Sequence, residues 1–218
     1  MRRIYKTEIL SSYYSDWIEK EKFKEQHPKY DSGNVHYFDL RMSLFYCQKG
    51  LCAYTEQKLC KPHLLTKEKW KNGKYIELKE NTITDGHVEH FDESLKKTKG
   101  WLWDNLLMVY GDTNVRKGTK PIKYILKPDS PDYDAYKYLQ FDYEIDTFYA
   151  HIDLNDEDRE EVNYMIKTLG LNDVNTREDM IQNLKIDIEY DMDLIEPNEY
   201  PTAWNMTLTQ LKEEQSNA

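Results

Sequence analysis

His87-Val-Glu-His-Phe91, Trp101-Leu-Trp-Asp-Asn-Leu-Leu107 and Asn114-Val-Arg-Lys-Gly118 follow one another in the middle of the chain. Ile83 to Phe91 alternates weakly, which predicts a strand carrying Val88 inward. Residues 92–104 read as a lysine-rich loop that closes on Trp101 and Trp103. Leu106 to Val109 is apolar, and the chain from Asn114 onward predicts a short helix or turn. Neighbours on a strand face opposite ways, so Glu89 and His90 should project to different sides. A histidine beside a carboxylate, with two amides downstream, is a set that can bind a hard cation and deprotonate a water next to it.

Outward from that stretch, apolar positions at Ile4, Ile9, Leu10, Tyr13, Tyr14, Trp17 and Ile18 fall partly at helical spacing. Residues 26–34 are turn-rich. Phe38 to Tyr46 predicts a helix running into Cys47 and ending at Gly50. His63 to Trp70 reads as a helix or an insertion, and Asn72-Gly73 as a hairpin turn. Tyr136 to Ile145 alternates as a strand does. Asn155 opens a helix with acids in its first turn and Gly170 at its end. The acids from Asp153 to Glu161 are read as that helix start, since a calcium loop would need a glycine and ligand spacing they lack. Thr176-Arg-Glu-Asp179 has the character of a capping box opening a second helix. The tail after Pro197 is polar and acidic with one aromatic anchor, Trp204, and yields no assignment. No internal repeat is visible. The regions are therefore drawn as a helical stretch at 1–50, a core at 51–123 and an acidic C-terminal α/β region at 124–218.

The net charge is −10 and it is unevenly spread. Residues 1–56 balance to +1, residues 57–123 to +5 and residues 124–218 to −16. The basic surplus lies on the segment that holds the candidate site, which hints at polyanion contact there and a different partner for the acidic third. No secretion signal or membrane-length apolar run is visible. Three cysteines, Cys47, Cys52 and Cys60, read as reduced thiols and imply a cytoplasmic protein.

Phosphodiester hydrolysis needs an activated water and neutralisation of charge on the phosphate and the leaving oxygen. Glu89 and Asn114 offer oxygen donors for Mg²⁺, or Mn²⁺ in its place, which retains most of its waters. His90 on the other side of the strand is placed to take the proton of the attacking water. Asn105 is expected to hold the loop and the imidazole through side-chain-to-backbone hydrogen bonds. Arg116 and Lys117 are expected to grip phosphate oxygens. Lys97 and Lys99, with Lys96, either contact the backbone of DNA or form a solvated loop. His87 is read as a surface or supporting residue, because it faces away from His90.

Cys52-Ala-Tyr-Thr55, Val88-Glu-His-Phe91, Trp103 to Leu107 and Asn114 to Gly118 resemble the HNH endonuclease signature of the ββα-metal fold. The resemblance implies an α+β chain with a strand–loop–strand–helix core at about residues 51–118, flanking helices and an acidic helical C-terminal region. It makes His90 the general base, Asn105 the middle asparagine, and Glu89 and Asn114 the metal ligands. More narrowly, the chain is similar to the HNH subunit of Septu-type anti-phage systems, a relative of which accompanies some retrons. Ile152-Asp-Leu-Asn155 and Leu169-Gly-Leu-Asn172 extend that likeness to about residue 190. It implies double-stranded DNA as substrate and an ATPase of the ABC or SMC-like type as partner. Many HNH proteins hold a structural zinc on four cysteines; the corresponding positions here are Cys52, Thr55, Tyr110 and Thr113. One thiolate cannot close a tetrahedral site, so no structural zinc is expected, with Tyr54, Tyr110, Trp101 and Trp103 packing in its place.

A degenerate, non-catalytic HNH-like adaptor that binds DNA or a protein is the alternative, and a plain interaction protein a third. The lost zinc cysteines and the acidic charge favour the adaptor, and retention of Glu89, His90, Asn105 and Asn114 opposes it; the interaction protein predicts no divalent-metal binding by calorimetry. The nuclease reading expects His90→Ala to abolish Mg²⁺-dependent plasmid cutting with thermal unfolding nearly unchanged.

Overall fold

The computed structural model describes residues 1–78 and 85–217. The chain is a mixed α+β protein with three two-stranded antiparallel sheets among its described residues. It divides into two compact units. The first holds Ile4–Ala53 and Lys58–Ile122. The second holds Met1–Arg3, Tyr54–Gln57 and the chain from Lys123 onward.

The first unit opens with α1, Ser12–Glu21, whose start is capped by Ser11 Oγ accepting the Tyr14 N–H at 3.1 Å. It buries Tyr14 and Ile18. Helix α2, Tyr37–Cys47, buries Leu40, Met42, Leu44 and Phe45. It ends where Gly50 takes φ +77° and donates its N–H to Phe45 O at 2.8 Å. A side chain there would strike Cys60 O at 2.6 Å, so glycine answers both a backbone and a steric demand. The stretch read as a helix or an insertion holds two short 3-10 turns, Pro62–Leu64 and Lys67–Lys69. Strands β1, Trp70–Lys71, and β2, Lys74–Tyr75, meet through Asn72-Gly73, both at positive φ, as a two-residue hairpin requires.

Strand β3, Gly86–His90, comes next; the predicted strand's first residues, Ile83 and Thr84, lie outside the described residues. After the excursion at 91–105, which contains the short helix α3, Lys96–Lys99, the chain returns as β4, Leu106–Tyr110. The two strands pair antiparallel with Glu89 opposite Leu107 and His90 opposite Leu106. Helix α4, Gly111–Lys117, follows β4 without a linker. It begins three residues before the predicted start at Asn114.

Leu106, Leu107, Met108 and Val109 are all fully buried, which makes β4 the centre of this unit. The open edge of β4 is closed by side chain and loop. Gln48 Oε1 accepts the Met108 N–H, and Met108 O accepts from Gln48 Nε2 and Ala53 N, all within 2.9 Å. An unpaired buried strand edge would be costly, and this glutamine removes that cost. Cys52 Sγ accepts the Tyr110 N–H at 3.4 Å. Trp101 and Trp103 pack with Tyr14, Trp17 and Tyr30, at ring centroid distances of 4.9–6.1 Å.

In the second unit the alternating run at 136–145 divides. Its start is the helical turn α5, Ala135–Tyr138, and its middle is β5, Leu139–Asp142. Strand β5 pairs with β6, Thr147–Ala150. Helix α6, Asp156–Leu169, is capped by Asn155 Oδ1 on the Asp158 N–H at 2.9 Å and ends at Gly170 with φ +69°. Helix α7, Arg177–Glu189, lacks the expected capping box: Thr176 Oγ1 is engaged with the Tyr200 hydroxyl. Arg177 is buried between the rings of Phe141 and Phe148, with its guanidinium on Asp146 and on the carbonyls of Asp146 and Leu171. Residues left unassigned from sequence form α8, Pro201–Asn217, with Pro201 at a first-turn position where it forfeits no helical bond. No helix among the described residues is long and apolar enough to cross a membrane.

Candidate functional site

Strand alternation separates the two central side chains. Glu89 faces α4, where its carboxylate meets the Lys117 ammonium. Both side chains are almost completely enclosed, at 3% and 1% exposure. Lys117 Nζ also donates to His90 O at 2.8 Å, so the ammonium ties α4 to β3 at two points. Lys117 was expected to hold phosphate; in this arrangement it holds the strand instead.

His90 turns the other way and is 2% exposed. Its Nε2 lies 2.8 Å from Gly100 O, and a carbonyl can only accept, so Nε2 carries the proton. Nδ1 then bears the lone pair of the neutral ring, and it has no hydrogen-bond partner among the described residues. The edge of Tyr30 meets the imidazole at a centroid distance of 4.5 Å. Gly100 allows this crowding, since a Cβ there would come within 2.9 Å of Tyr30 Cβ.

Burial pushes the His90 pKa below its ordinary 6.5; the Gly100 bond opposes this, and nearby Lys96 and Lys117 add to it while Glu93 resists. The folded protein therefore binds this proton less readily than the unfolded chain does. The stability that follows is present above pH 6.5 and is lost as the pH falls through the lowered value. A rate that depends on neutral His90 should likewise keep its plateau below pH 6.5, with the acid limb at lower pH. A pH–rate profile checks this; an acid limb centred at or above 6.5 would contradict it.

Asn105 closes the excursion between the strands. Its Oδ1 accepts the Asp92 N–H at 2.8 Å, and its Nδ2 donates to Asp92 O at 2.9 Å. The Phe91 N–H donates to Asn105 O at 2.8 Å. Asp92 in turn caps the next turn through the Ser94 N–H and hydroxyl. The amide was expected to hold both the loop and the imidazole; its hydrogen bonds are to the loop. Asn105→Asp loses the donor and sets an anion against the Asp92 carbonyl. The expected cost is about 1–3 kcal/mol in urea unfolding, and an unchanged midpoint would remove Asn105 from this role.

The other candidates are scattered. Asn114 is half-buried on α4, and its side chain makes no hydrogen bond among the described residues. Arg116 and Lys97 are exposed. Lys99 Nζ is bound to the carbonyls of Lys22 and Lys24, so it braces the end of α1. Gly100 and Tyr30, which fix the imidazole, were not singled out from sequence. A small residue beside two tryptophans and a tyrosine in a turn-rich loop give little warning of it.

The oxygen donors of Glu89 and Asn114 are the right type for a hard cation. Among the described residues no three His, Cys, Asp or Glu side chains cluster as metal ligands. The charge of Glu89 is met by Lys117 within a closed space, so a divalent ion at Glu89 would have to displace that ammonium. No protein-family model matches the chain, and no curated protein matches it.

Proposed function

We propose that the chain is an endonuclease of the HNH type that hydrolyses phosphodiester bonds in DNA, with His90 as the general base. The observation that carries this reading is the orientation of one ring. Gly100 O holds the Nε2 proton, leaving Nδ1 as the basic atom of an imidazole that stays neutral near pH 7. A neutral, fixed imidazole takes a proton from water as the water attacks phosphorus, and such a base contributes about 10²–10⁴-fold to rate. The order of β3, a loop closed by an asparagine, β4 and α4 supports the same reading.

Mg²⁺ or Mn²⁺ as cofactor and an ATPase as partner, with a role as effector in anti-phage defence, belong to this proposal through the resemblance in sequence. The acidic balance of residues 124–218 supports a docking role for the C-terminal region. The test is relaxation of supercoiled plasmid with Mg²⁺ or Mn²⁺ against EDTA, alone and with proteins captured from the native host. Persistent absence of cutting in every arm would remove the nuclease reading.

One observation favours the second reading, a non-catalytic adaptor. The buried Glu89–Lys117 pair gives both groups a structural task that needs no reaction. The adaptor predicts nucleic-acid or protein binding without cutting, and without any effect of divalent ions.

A further inference from the structure

A cleft of about 920 Å³ opens in the first unit between the loop after α1 and the excursion at 91–105. Lys29 and Tyr30 line one side, Glu93, Lys96 and Lys97 another, and Thr119 a third. Three ammonium groups face one carboxylate, and that carboxylate is engaged by Lys96 at 3.0 Å. Lys29 and Lys97 are exposed. The wall is shared with the candidate site, because the Tyr30 ring that lines the cleft also abuts His90. Neither Lys29 nor Tyr30 is part of the sequence pattern around residues 87–118.

We infer that this cleft binds a single-stranded segment of nucleic acid through its phosphodiester backbone, with Lys29 and Lys97 as the cations that engage phosphates. The inference rests on the nuclease reading for its purpose, though not for its geometry. Its charge selects an anion. Its volume lies within the range of small-ligand sites, so a short run of nucleotides enters it and a duplex does not. Lysines flanking such a groove act as mobile point charges, which suits a backbone read without regard to sequence. Thr119 also lines the cleft.

The test is fluorescence anisotropy of labelled oligothymidylate and of a labelled duplex, in EDTA so that no cutting intervenes. The variants are Lys29→Gln with Lys97→Gln, and a control pair of exposed lysines elsewhere in the unit, Lys20→Gln with Lys71→Gln. Binding to single strands loses about 0.7 in log–log salt slope for each phosphate contact removed, so the double variant should lose about 1.4. Lines that converge near 1 M salt then differ roughly 25-fold in affinity at about 0.1 M. The control pair should follow wild type. Equal behaviour of the two double variants, a wild type that binds only duplex, or a wild type that binds neither would each overturn the inference. The nuclease reading is scored separately with His90→Gln and plasmid. Cutting that needs His90 with binding indifferent to the cleft lysines would remove only the cleft, and cleft-dependent binding without cutting would remove only the nuclease.

Discussion

Lys117→Met lowers the stability of the protein by about 3–5 kcal/mol at neutral pH, because it leaves the enclosed Glu89 carboxylate without its cation. For a chain of this size such a loss moves the melting temperature down by roughly 6–20 °C. Removing both charges should cost far less: Glu89→Gln with Lys117→Met keeps the shapes and strands no ion, so most of the loss should return. The single variant also carries a pH signature. A buried carboxyl deprived of its ammonium holds its proton more tightly than it does with the ammonium beside it, which shifts the folded-state pKa upward in the variant. The deficit is then largest well above that raised pKa and shrinks as the pH falls through it. An unfolding midpoint unchanged by Lys117→Met would show that the pair is not closed off from water as described.

The same variant decides whether the expected metal has a place. With the ammonium in position, the Glu89 carboxylate is balanced and a divalent ion has little to gain there. Once the ammonium is gone, Mg²⁺ or Mn²⁺ can supply the missing charge. An ion that binds the folded state alone adds about 2.7 kcal/mol at a concentration one hundred times its Kd. The melting temperature of Lys117→Met should therefore climb with metal while wild type moves less. Equal responses would mean that any ion bound by this protein sits elsewhere than at Glu89.

Much of the frame was legible because local chemistry decides it. Asn72-Gly73 can take the positive φ angles of a tight hairpin, and the structure uses both. Asn155 and Gly170 bracket α6 because one side chain caps free N–H groups and the other residue tolerates the left-handed turn. The apolar runs around Val88 and at Leu106 to Val109 marked two strands with a loop between them, and the Asn105 amide holds that loop.

What stayed hidden depends on distant partners. Lysine is seldom buried, so nothing local announces that Lys117 turns inward to Glu89 and the His90 carbonyl. Thr176 has a cap's sequence, yet the Tyr200 hydroxyl takes its side chain and the capping bond is not made. Helix α8 is polar enough to read as a tail; its inner face, with Ala203, Trp204, Met206 and Thr207, becomes evident only when buried. Burial also alters one expectation about mutation. Because the imidazole is enclosed and bonded to Gly100 O, His90→Ala would open a cavity and lower stability as well as any activity.

His90→Gln is therefore the sharper variant, since an amide donor can still address Gly100 O while the basic nitrogen is gone. Plasmid relaxation by wild type and His90→Gln, at equal protein concentration and with melting temperatures measured side by side, tests the role of that nitrogen most directly. The account predicts a loss of about 10²–10⁴-fold in cutting rate with little change in melting temperature. Cutting by His90→Gln at the wild-type rate would contradict it.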